Sequence, residues 1–186
     1  MKVLKWIGIG VAALIVLPVL TLVVLHYRPN AGKMHASVEI GAPPQQVWAW
    51  IDDGQRLKQW VSWMVEVQEA QPGRRGVGSS LTWVMKDENN GGASMKLNGR
   101  ITEYTPPTRL AIAISEPVYG INGVQAYTLT DLGSGRTRID TDAHYDYGNW
   151  FASLMEPLVT PAAGKKMNDD LARLKGLIET NADAAR

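Results

Sequence analysis

The segment "ASVEIGAPPQQVWAWIDDGQRLKQWVSWM", residues 36–64, changes its hydrophobic period along its length and holds four of the chain's seven tryptophans. It begins inside a short strand pattern, His35–Ile40. Two prolines, which the first turn of a helix tolerates, then open a helix in which Val47 and Ile51 share one face. A tight turn separates it from a second short helix, predicted over Gln55–Val61. The segment therefore predicts one strand followed by two short helices.

From Met64 onward the hydrophobic period becomes two, which is typical of strands with one buried face. The strand patterns are separated by the turn sequences QPGRRG, ENNGG, TPPT, EPVYGIN and GSG, whose short lengths favour an antiparallel meander. The six predicted strands are Met64–Ala70, Gly78–Asp87, Ala93–Tyr104, Arg109–Ser115, Gly123–Leu132 and Arg136–Tyr147.

The C-terminal region returns to a helical pattern, and Pro157 and Pro161 are expected to start or kink this helix. An antiparallel sheet with one apolar face needs a cover, and this helix is the only long one that the soluble part offers. We therefore predict an α+β domain in which a curved seven-stranded antiparallel sheet packs around the terminal helix. The apolar face of that helix consists of Met167, Leu171, Leu174 and Ile178.

The N-terminal region contains Trp6–Leu25, twenty residues without a charge, which match the hydrocarbon core of a bilayer at about 1.5 Å per residue. A cleaved signal peptide is the alternative, but its apolar stretch is usually about 7–15 residues long and precedes a small-residue cleavage site. We expect residues 1–26 to remain as a transmembrane anchor that contacts the membrane through residues 6–25. The linker, residues 27–33, reaches at most roughly 25 Å and keeps the domain near the bilayer.

Charge limits both the orientation and the partners of the chain. Lys2 and Lys5 precede the apolar run and Arg28 and Lys33 follow it, a small bias that favours a cytoplasmic N-terminus and an extracytoplasmic domain. A cytoplasmic domain is the alternative. Removing Lys2 and Lys5 from the 19 basic residues leaves 17 against 18 acidic ones, which argues against a nucleic-acid partner. The absence of cysteine excludes disulfides, a thiol nucleophile and a lipoprotein anchor.

Several segments together resemble a known superfamily. Residues 36–64 resemble the opening of the SRPBCC (START-like, helix-grip) superfamily, specifically its polyketide cyclase/dehydrase-like group, and GRITEYTPPTRLAI, LTDLGSGRTRID and DDLARLKGLIE resemble later parts of the same pattern. The resemblance implies one helix-grip domain over residues 34–181, with a tail of residues 182–186. The superfamily includes lipid carriers, hydrophobic-ligand binders, cyclases and co-chaperones, so the resemblance implies a fold more than an activity. A transmembrane anchor is a departure from most members.

The strand faces that turn toward the terminal helix combine large apolar side chains with a few hydroxyls, which suits a pocket for an apolar ligand that carries a polar group. A filled core, in which the tyrosine hydroxyls find backbone partners, is the alternative. Trp50 and Trp60 are expected in the core, whereas Trp48 and Trp63 are expected at the rim or entrance. The ligand-binding candidates are Trp48, Trp63, Trp83, Met85, Leu97, Tyr127, Tyr145 and Tyr147.

Catalytic motifs for serine, cysteine, P-loop or zinc-protease chemistry are absent from the sequence. Glu103, whose parity matches that of inward-facing strand residues, and Tyr145 are the candidates for proton transfer; a solvated strand end is the alternative for Glu103. The acidic pattern D-x-D-x-H-x-D over residues 140–146 has the two-residue spacing of a solvated strand face and lacks the glycine of a calcium loop. We therefore expect neither a metal nor a cofactor.

These patterns favour a membrane-tethered domain that binds a hydrophobic small molecule or lipid between the sheet and the terminal helix, without catalysis of its own. One alternative is a cyclase/dehydratase-type enzyme that acts on a hydrophobic substrate. Another is a chaperone-like module that binds a protein partner through an exposed apolar patch. The identity of the ligand and the oligomeric state do not follow from the sequence.

Overall fold

The computed structural model describes residues 2–27, 31–71, 73–87 and 91–184. Its elements follow the predicted order of one long helix, one strand, two short helices, six strands and a terminal helix. They are α1 (Lys2–His26), β1 (Lys33–Ile40), α2 (Pro44–Ile51), α3 (Gly54–Trp60), β2 (Met64–Glu69), β3 (Ser80–Asp87), β4 (Ala93–Thr105), β5 (Arg109–Glu116), β6 (Ile121–Gly133), β7 (Arg136–Tyr147) and α4 (Trp150–Ala184).

All seven strands form one antiparallel sheet in the order β1-β7-β6-β5-β4-β3-β2. The six C-terminal strands are a simple meander, because each pairs with its neighbour in sequence, and β1 adds to the free edge of β7. Helix α4 packs against β1 and β7, α2 contacts β6 and β7, and α3 packs against β2. This arrangement confirms the predicted α+β helix-grip fold.

The predicted inner face of α4 is confirmed in its C-terminal half. Leu171, Leu174 and Ile178 are at most 3% exposed and join a single hydrophobic core with Ile40 of β1 and Ile139 of β7. Burial of an aliphatic side chain of this size contributes about 1.5–3 kcal/mol. The contacts between α4 and the sheet are therefore the main attachment of the helix.

Of the two roles expected for Pro157 and Pro161, starting α4 is wrong, and kinking it stays a prediction. The helix begins at Trp150, so neither Pro157 nor Pro161 starts it, and both lie inside it. Asn149 explains the earlier start, because its Oδ1 atom accepts a hydrogen bond from the N–H of Ala152 at 2.8 Å and caps the first turn. A capped turn followed by residues of good helix propensity can continue through a proline at the loss of one backbone hydrogen bond.

The N-terminal helix α1 includes a stretch, Lys5–His26, that is long and apolar enough to cross a membrane, and its apolar window is not buried in the protein. A signal sequence near an N-terminus meets the same criteria of length and composition, so they do not separate the two. Helix α1 contacts α4, and His26 Nδ1 lies 3.9 Å from Glu156 Oε2. The N–H of Gly32 donates to Glu156 Oε1 at 2.8 Å, so the start of β1 is attached to the same carboxylate.

Candidate functional site

A cavity of about 80 Å³ lies between the inner face of the sheet and α4, next to α3 and the start of β2. Trp60 of α3 and Trp63 of the α3–β2 junction form one side of the cavity. Trp83 of β3 lies on the side formed by the sheet, to which residues of β6 and β7 also contribute. Ala163 and Met167 contribute the face of α4. The cavity is therefore in the place that the helix-grip fold predicts.

Five of the eight ligand-binding candidates line this cavity, and three do not. Those in the lining are Trp63, Trp83, Met85, Tyr127 and Tyr145; those outside it are Trp48, Leu97 and Tyr147. Trp63 is half-buried at its junction, and the amine of Lys166 lies 5.1 Å from its ring centroid, within cation–π distance. Whether the five lining side chains bind a ligand stays a prediction.

The sequence places Trp48 at the rim and Trp50 in the core, whereas the structure buries Trp48 in the core and leaves Trp50 half-buried against it. Trp48 is 7% exposed and packs edge-to-face against Tyr104 with ring centroids 5.7 Å apart. Trp50 is half-buried, with Arg56 5.4 Å from its ring centroid. Helix α2 has only eight residues, and it buries Val47 together with Trp48. The expectation for Trp48 is therefore wrong, since two helical turns are too few to define the inner face from spacing alone.

Leu97 and Tyr147 have the expected inward parity but lie beyond the cavity. Leu97 is half-buried against the core and pairs across the strands with Trp83. The hydroxyl of Tyr147 lies 3.3 Å from Thr160 Oγ1, near the first turns of α4. Parity assigns a side chain to a face of the sheet, but not to a position along a long strand.

Glu103 does not face the interior. The register of β4 against β5 shifts between Ile101 and Glu103, which pair with Ile112 and Ala111, so Thr102 is an extra residue in a β-bulge. The bulge reverses the side-chain alternation beyond it. The carboxylate of Glu103 is 55% exposed and accepts a hydrogen bond from Arg109 Nε at 2.8 Å. The prediction that Glu103 is an inward proton-transfer group is therefore wrong.

Two buried polar atoms of the lining have no hydrogen-bond partner within the described part of the chain: Trp83 Nε1 and Thr141 Oγ1. Trp83 is 5% exposed and Thr141 is 0% exposed. A buried polar group without a partner costs about 1–3 kcal/mol, which a water molecule or a ligand oxygen in the cavity can offset. Both atoms are fully buried, so an occupant of the cavity reaches them only when lining side chains move.

A side-chain network adds further polar groups to the same wall. Gln125 Nε2 donates to the hydroxyl of Tyr127 at 2.6 Å, and the hydroxyl of Tyr145 lies 3.3 Å from Gln125 Oε1. Burial raises the pKa of Tyr127, and the nearby Tyr145 and Asp170 raise it further. Burial likewise raises the pKa of Tyr145, with a contribution from Tyr147. Both phenols are therefore protonated near neutral pH and can donate hydrogen bonds.

Gln125 and Asp170 are lining residues that the sequence analysis missed. Gln125 has the parity of Tyr127 two residues later, and this signal could have identified it. Asp170 is 5% exposed on the inner side of α4, where burial raises its pKa. The N–H of Ser62, which donates to Asp170 Oδ1 at 3.1 Å, opposes that shift. Asp170 lies three residues after Met167, on the predicted apolar face, so its position was readable from the helical period.

The acidic pattern of β7 lies on the outer face of the sheet. His35 Nδ1 and Asp142 Oδ1 are 2.8 Å apart, and Ser37 donates to Asp140 at 2.6 Å, so neighbouring β1 residues engage these carboxylates. Within the described ranges, no group of three His, Cys, Asp or Glu side chains could hold a metal ion. The outward orientation agrees with a solvated strand face.

A protein family whose description is "Polyketide cyclase / dehydrase and lipid transport" matches residues 31–179, which include the whole sheet and almost all of α4. The chain belongs to this family. The match begins after α1, so the N-terminal helix lies outside the family's shared part. No curated protein matches the chain.

Solved structures show the same family fold. TTHA0849 from Thermus thermophilus superposes with a TM-score of 0.65 at 18% identity, over 80% of this chain and 98% of that one. CV1439 from Chromobacterium violaceum superposes with a TM-score of 0.64 at 17% identity, over 82% of this chain and 99% of that one. At such identities the likeness shows the fold alone. The family's description names both enzymes, as cyclase and dehydrase, and carriers, as lipid transport.

Proposed function

We propose that the chain is a membrane-tethered domain that binds a hydrophobic small molecule or a lipid in the cavity between the sheet and α4. The observation that carries the proposal is the lining itself, which combines apolar side chains with the hydrogen-bonded polar groups of Gln125, Tyr127 and Tyr145. An apolar ligand with one or two polar groups fits this combination. The family's description, which includes lipid transport, supports the same conclusion.

The size of the cavity sets a condition on binding. Sites for drug-sized ligands are about 300–1,000 Å³, so a lipid chain needs more room than the 80 Å³ that the structure shows. Four methionines line the cavity: Met34, Met64, Met85 and Met167. Methionine is unbranched and has three rotatable side-chain bonds, so it can change rotamer with little strain. Ligand entry in this proposal enlarges the cavity by moving these side chains.

The tether in this proposal is α1, with the N-terminus in the cytoplasm and the domain outside it. Its length and apolar composition support the role. An apolar ligand partitions into the bilayer, so a domain held at the membrane surface is close to the ligand's reservoir. The tether therefore raises the local concentration of ligand at the cavity.

Enlarging a side chain in the lining tests the binding proposal. Ala163→Phe places a ring in the cavity from α4, whereas Ala172→Phe places the same ring on the exposed side of the same helix. Overpacking costs about 1–3 kcal/mol, so thermal unfolding is measured for both variants to show that they fold. The readout is native mass spectrometry of the full chain after extraction in mild detergent.

The wild type and Ala172→Phe are expected to retain an apolar small molecule or lipid, and Ala163→Phe is expected to lose it. Retention by Ala163→Phe at the wild-type level would place the ligand elsewhere. A ligand-free wild type, after extraction in several detergents, would contradict the proposal.

An enzymatic function is the second candidate, favoured by the Tyr145 hydroxyl in the cavity wall. Burial keeps the Tyr145 phenol protonated near neutral pH, so it can donate a hydrogen bond to a substrate oxygen, but its raised pKa makes it a weak acid and a poor base there. A cyclase or dehydratase that uses it would lose turnover in Tyr145→Phe while still binding substrate. If the protein is a carrier, Tyr145→Phe is expected to keep its fold and most of its affinity for the ligand.

A further inference from the structure

One end of the domain exposes a continuous apolar surface, which we term the end surface. Trp150 is 78% exposed and Val118 is 77% exposed, values that are high for side chains of this kind. Phe151 and Leu158 are more than half exposed. The end surface consists of Val118 and Tyr119 from the β5–β6 turn and Trp150, Phe151 and Leu158 from the first turns of α4.

The turn and the helix that form the end surface are held together by hydrogen bonds. Asn149 Nδ2 donates to the carbonyl of Tyr119 at 2.5 Å, and the N–H of Gly148 donates to the carbonyl of Gly120 at 2.8 Å. A Cβ atom on Gly148 would lie 2.6 Å from the carbonyl oxygen of Gly120, which only glycine avoids. The β5–β6 turn and the start of α4 are therefore fixed to each other, and their apolar side chains form one surface.

These two segments present no exposed charge. Within residues 147–164 the sequence has one charged residue, Glu156, which is fully buried and accepts a hydrogen bond from Gly32. Glu116 is 2% exposed and accepts hydrogen bonds from the N–H groups of Val118 at 3.0 Å and Tyr119 at 2.6 Å. Both carboxylates point into the domain, which leaves the end surface without an electrostatic barrier to lipid.

The end surface lies at the same level along α4 as the contact with α1, on the other side of the helix. Helix α1 contacts α4, and its last residue, His26, is 3.9 Å from Glu156, which lies between Phe151 and Leu158 on α4. Gly32 is bound to the same carboxylate. A helix that spans a bilayer would therefore bring the end surface to the level where the helix leaves the hydrocarbon core.

We infer that the end surface inserts into the interfacial layer of the same bilayer that α1 spans, so that the domain has a second contact with the membrane. The inference rests on the membrane tether of the proposed function. Tryptophan and tyrosine are enriched at this level of membrane proteins because their rings are apolar and their N–H or O–H groups stay hydrated. A single contact with the membrane leaves the domain free to tilt, whereas two contacts fix its orientation.

The second contact also sets the distance between the cavity and the bilayer. Trp150 precedes Ala163 by thirteen residues on one continuous helix, which corresponds to about 20 Å along the axis. The lining of the cavity begins at Ala163 on this helix. Insertion of the first turns of α4 therefore holds the cavity within one leaflet thickness of the ligand's reservoir.

Nitroxide labels on single cysteines test the inference, and the chain has no native cysteine to interfere. The full chain is placed in vesicles of phosphatidylcholine and phosphatidylglycerol with a label at Val118→Cys or Phe151→Cys. Leu14→Cys, in α1, reports the tether. Ser134→Cys is the matched aqueous control, since it lies in the β6–β7 turn and β6 separates the two turns by thirteen residues, roughly 40 Å.

Accessibility to molecular oxygen and to a water-soluble nickel chelate is measured by electron paramagnetic resonance. Labels at Val118→Cys and Phe151→Cys are expected to collide more with oxygen than with nickel, and the label at Ser134→Cys is expected to show the reverse. A membrane profile at Leu14→Cys with an aqueous profile at positions 118 and 151 would overturn the second contact and leave the tether intact. An aqueous profile at Leu14→Cys would overturn both.

Protection of positions 118 and 151 from both reagents would show that a protein, either a partner or a second copy of the chain, covers the end surface. That result would also contradict the inference.

Discussion

At the scale of single residues, two threonines of β7 occupy equivalent places with different partners. Thr137 and Thr141 are both 0% exposed and have the same parity on the strand. Thr137 Oγ1 donates to the carbonyl of Ala42 at 2.7 Å, whereas Thr141 Oγ1 has no partner within the described residues and belongs to a residue of the cavity lining. The structural role of one hydroxyl can therefore be separated from the site role of the other.

Replacing each threonine by valine tests this difference. Thr137→Val removes a hydrogen bond from a buried carbonyl and is expected to lower the free energy of unfolding by about 1–3 kcal/mol. Thr141→Val removes an unpartnered hydroxyl at nearly constant shape, so the free energy of unfolding is expected to stay the same or to rise by up to about 1–3 kcal/mol. Denaturant unfolding of both variants in detergent gives the comparison. Equal losses would mean that the protein satisfies Thr141 by itself.

Single residues also show where the sequence was informative. The inward positions of Trp83, Met85, Tyr127 and Tyr145 followed from parity because each belongs to a strand segment without a bulge. The prediction for Glu103 failed because one extra residue in β4 moves every later side chain to the other face of the sheet. No local signal in the sequence locates that residue.

At the scale of elements, α4 forms both one wall of the cavity and the attachment to α1. The helix places Asp170, a buried acid, beside the apolar lining. Burial raises the pKa of Asp170, while the Ser62 N–H and the more distant Arg173 and Lys166 act in the opposite direction. The helix therefore carries a group that makes stability depend on pH.

The sign of that dependence follows from the raised pKa. The folded protein holds the Asp170 proton at pH values where the unfolded chain has released it, so this residue favours the folded state at low pH. That contribution is lost as the pH rises from the ordinary carboxyl pKa through the higher folded value. Asp170→Asn keeps an acceptor for Ser62 and is expected to raise the unfolding midpoint at pH 7 more than at pH 3.5.

Asp169→Asn is the matched control, because Asp169 is exposed and pairs with Lys165 at 2.7 Å on the outer side of α4. Exposed pairs of this kind contribute little, so its midpoint is expected to change by a small amount. Thermal unfolding at both pH values provides the measurement. An Asp170→Asn shift of the same size at both pH values would contradict a raised pKa.

Elements were predicted well where their pattern was long, and less well at their ends. The strands of the meander begin and end within about two residues of the prediction because turn sequences bound them on both sides. The start of α4 at Trp150 was not predicted, because Pro157 and Pro161 were expected to start or kink the helix and the Asn149 cap was not identified. The N-terminal part of α4 also contacts α1, and such tertiary contacts cannot be predicted from a local sequence pattern.

At the scale of the whole molecule, the structure joins an apolar N-terminal helix to a domain of the polyketide cyclase and lipid transport family. The family membership and the fold were recognisable in the sequence because the order of elements and the segment 36–64 are specific to that fold. The ligand was not recognisable in the sequence, because the size of a cavity depends on how completely many side chains fill the space between a sheet and a helix.

The central claim is that an apolar ligand occupies the cavity and moves the methionines that line it. Full-length protein labelled with ¹³C at the methionine methyl groups, embedded in lipid nanodiscs, is titrated with dodecanoic acid. The methyl signals of the lining, Met34, Met64, Met85 and Met167, are compared with that of Met95, which packs on the core outside the cavity.

The proposal predicts saturable shifts at the four lining methionines, little change at Met95, and loss of the shifts in Ala163→Phe. Unchanged lining signals at saturating dodecanoic acid, or equal shifts at Met95, would contradict it.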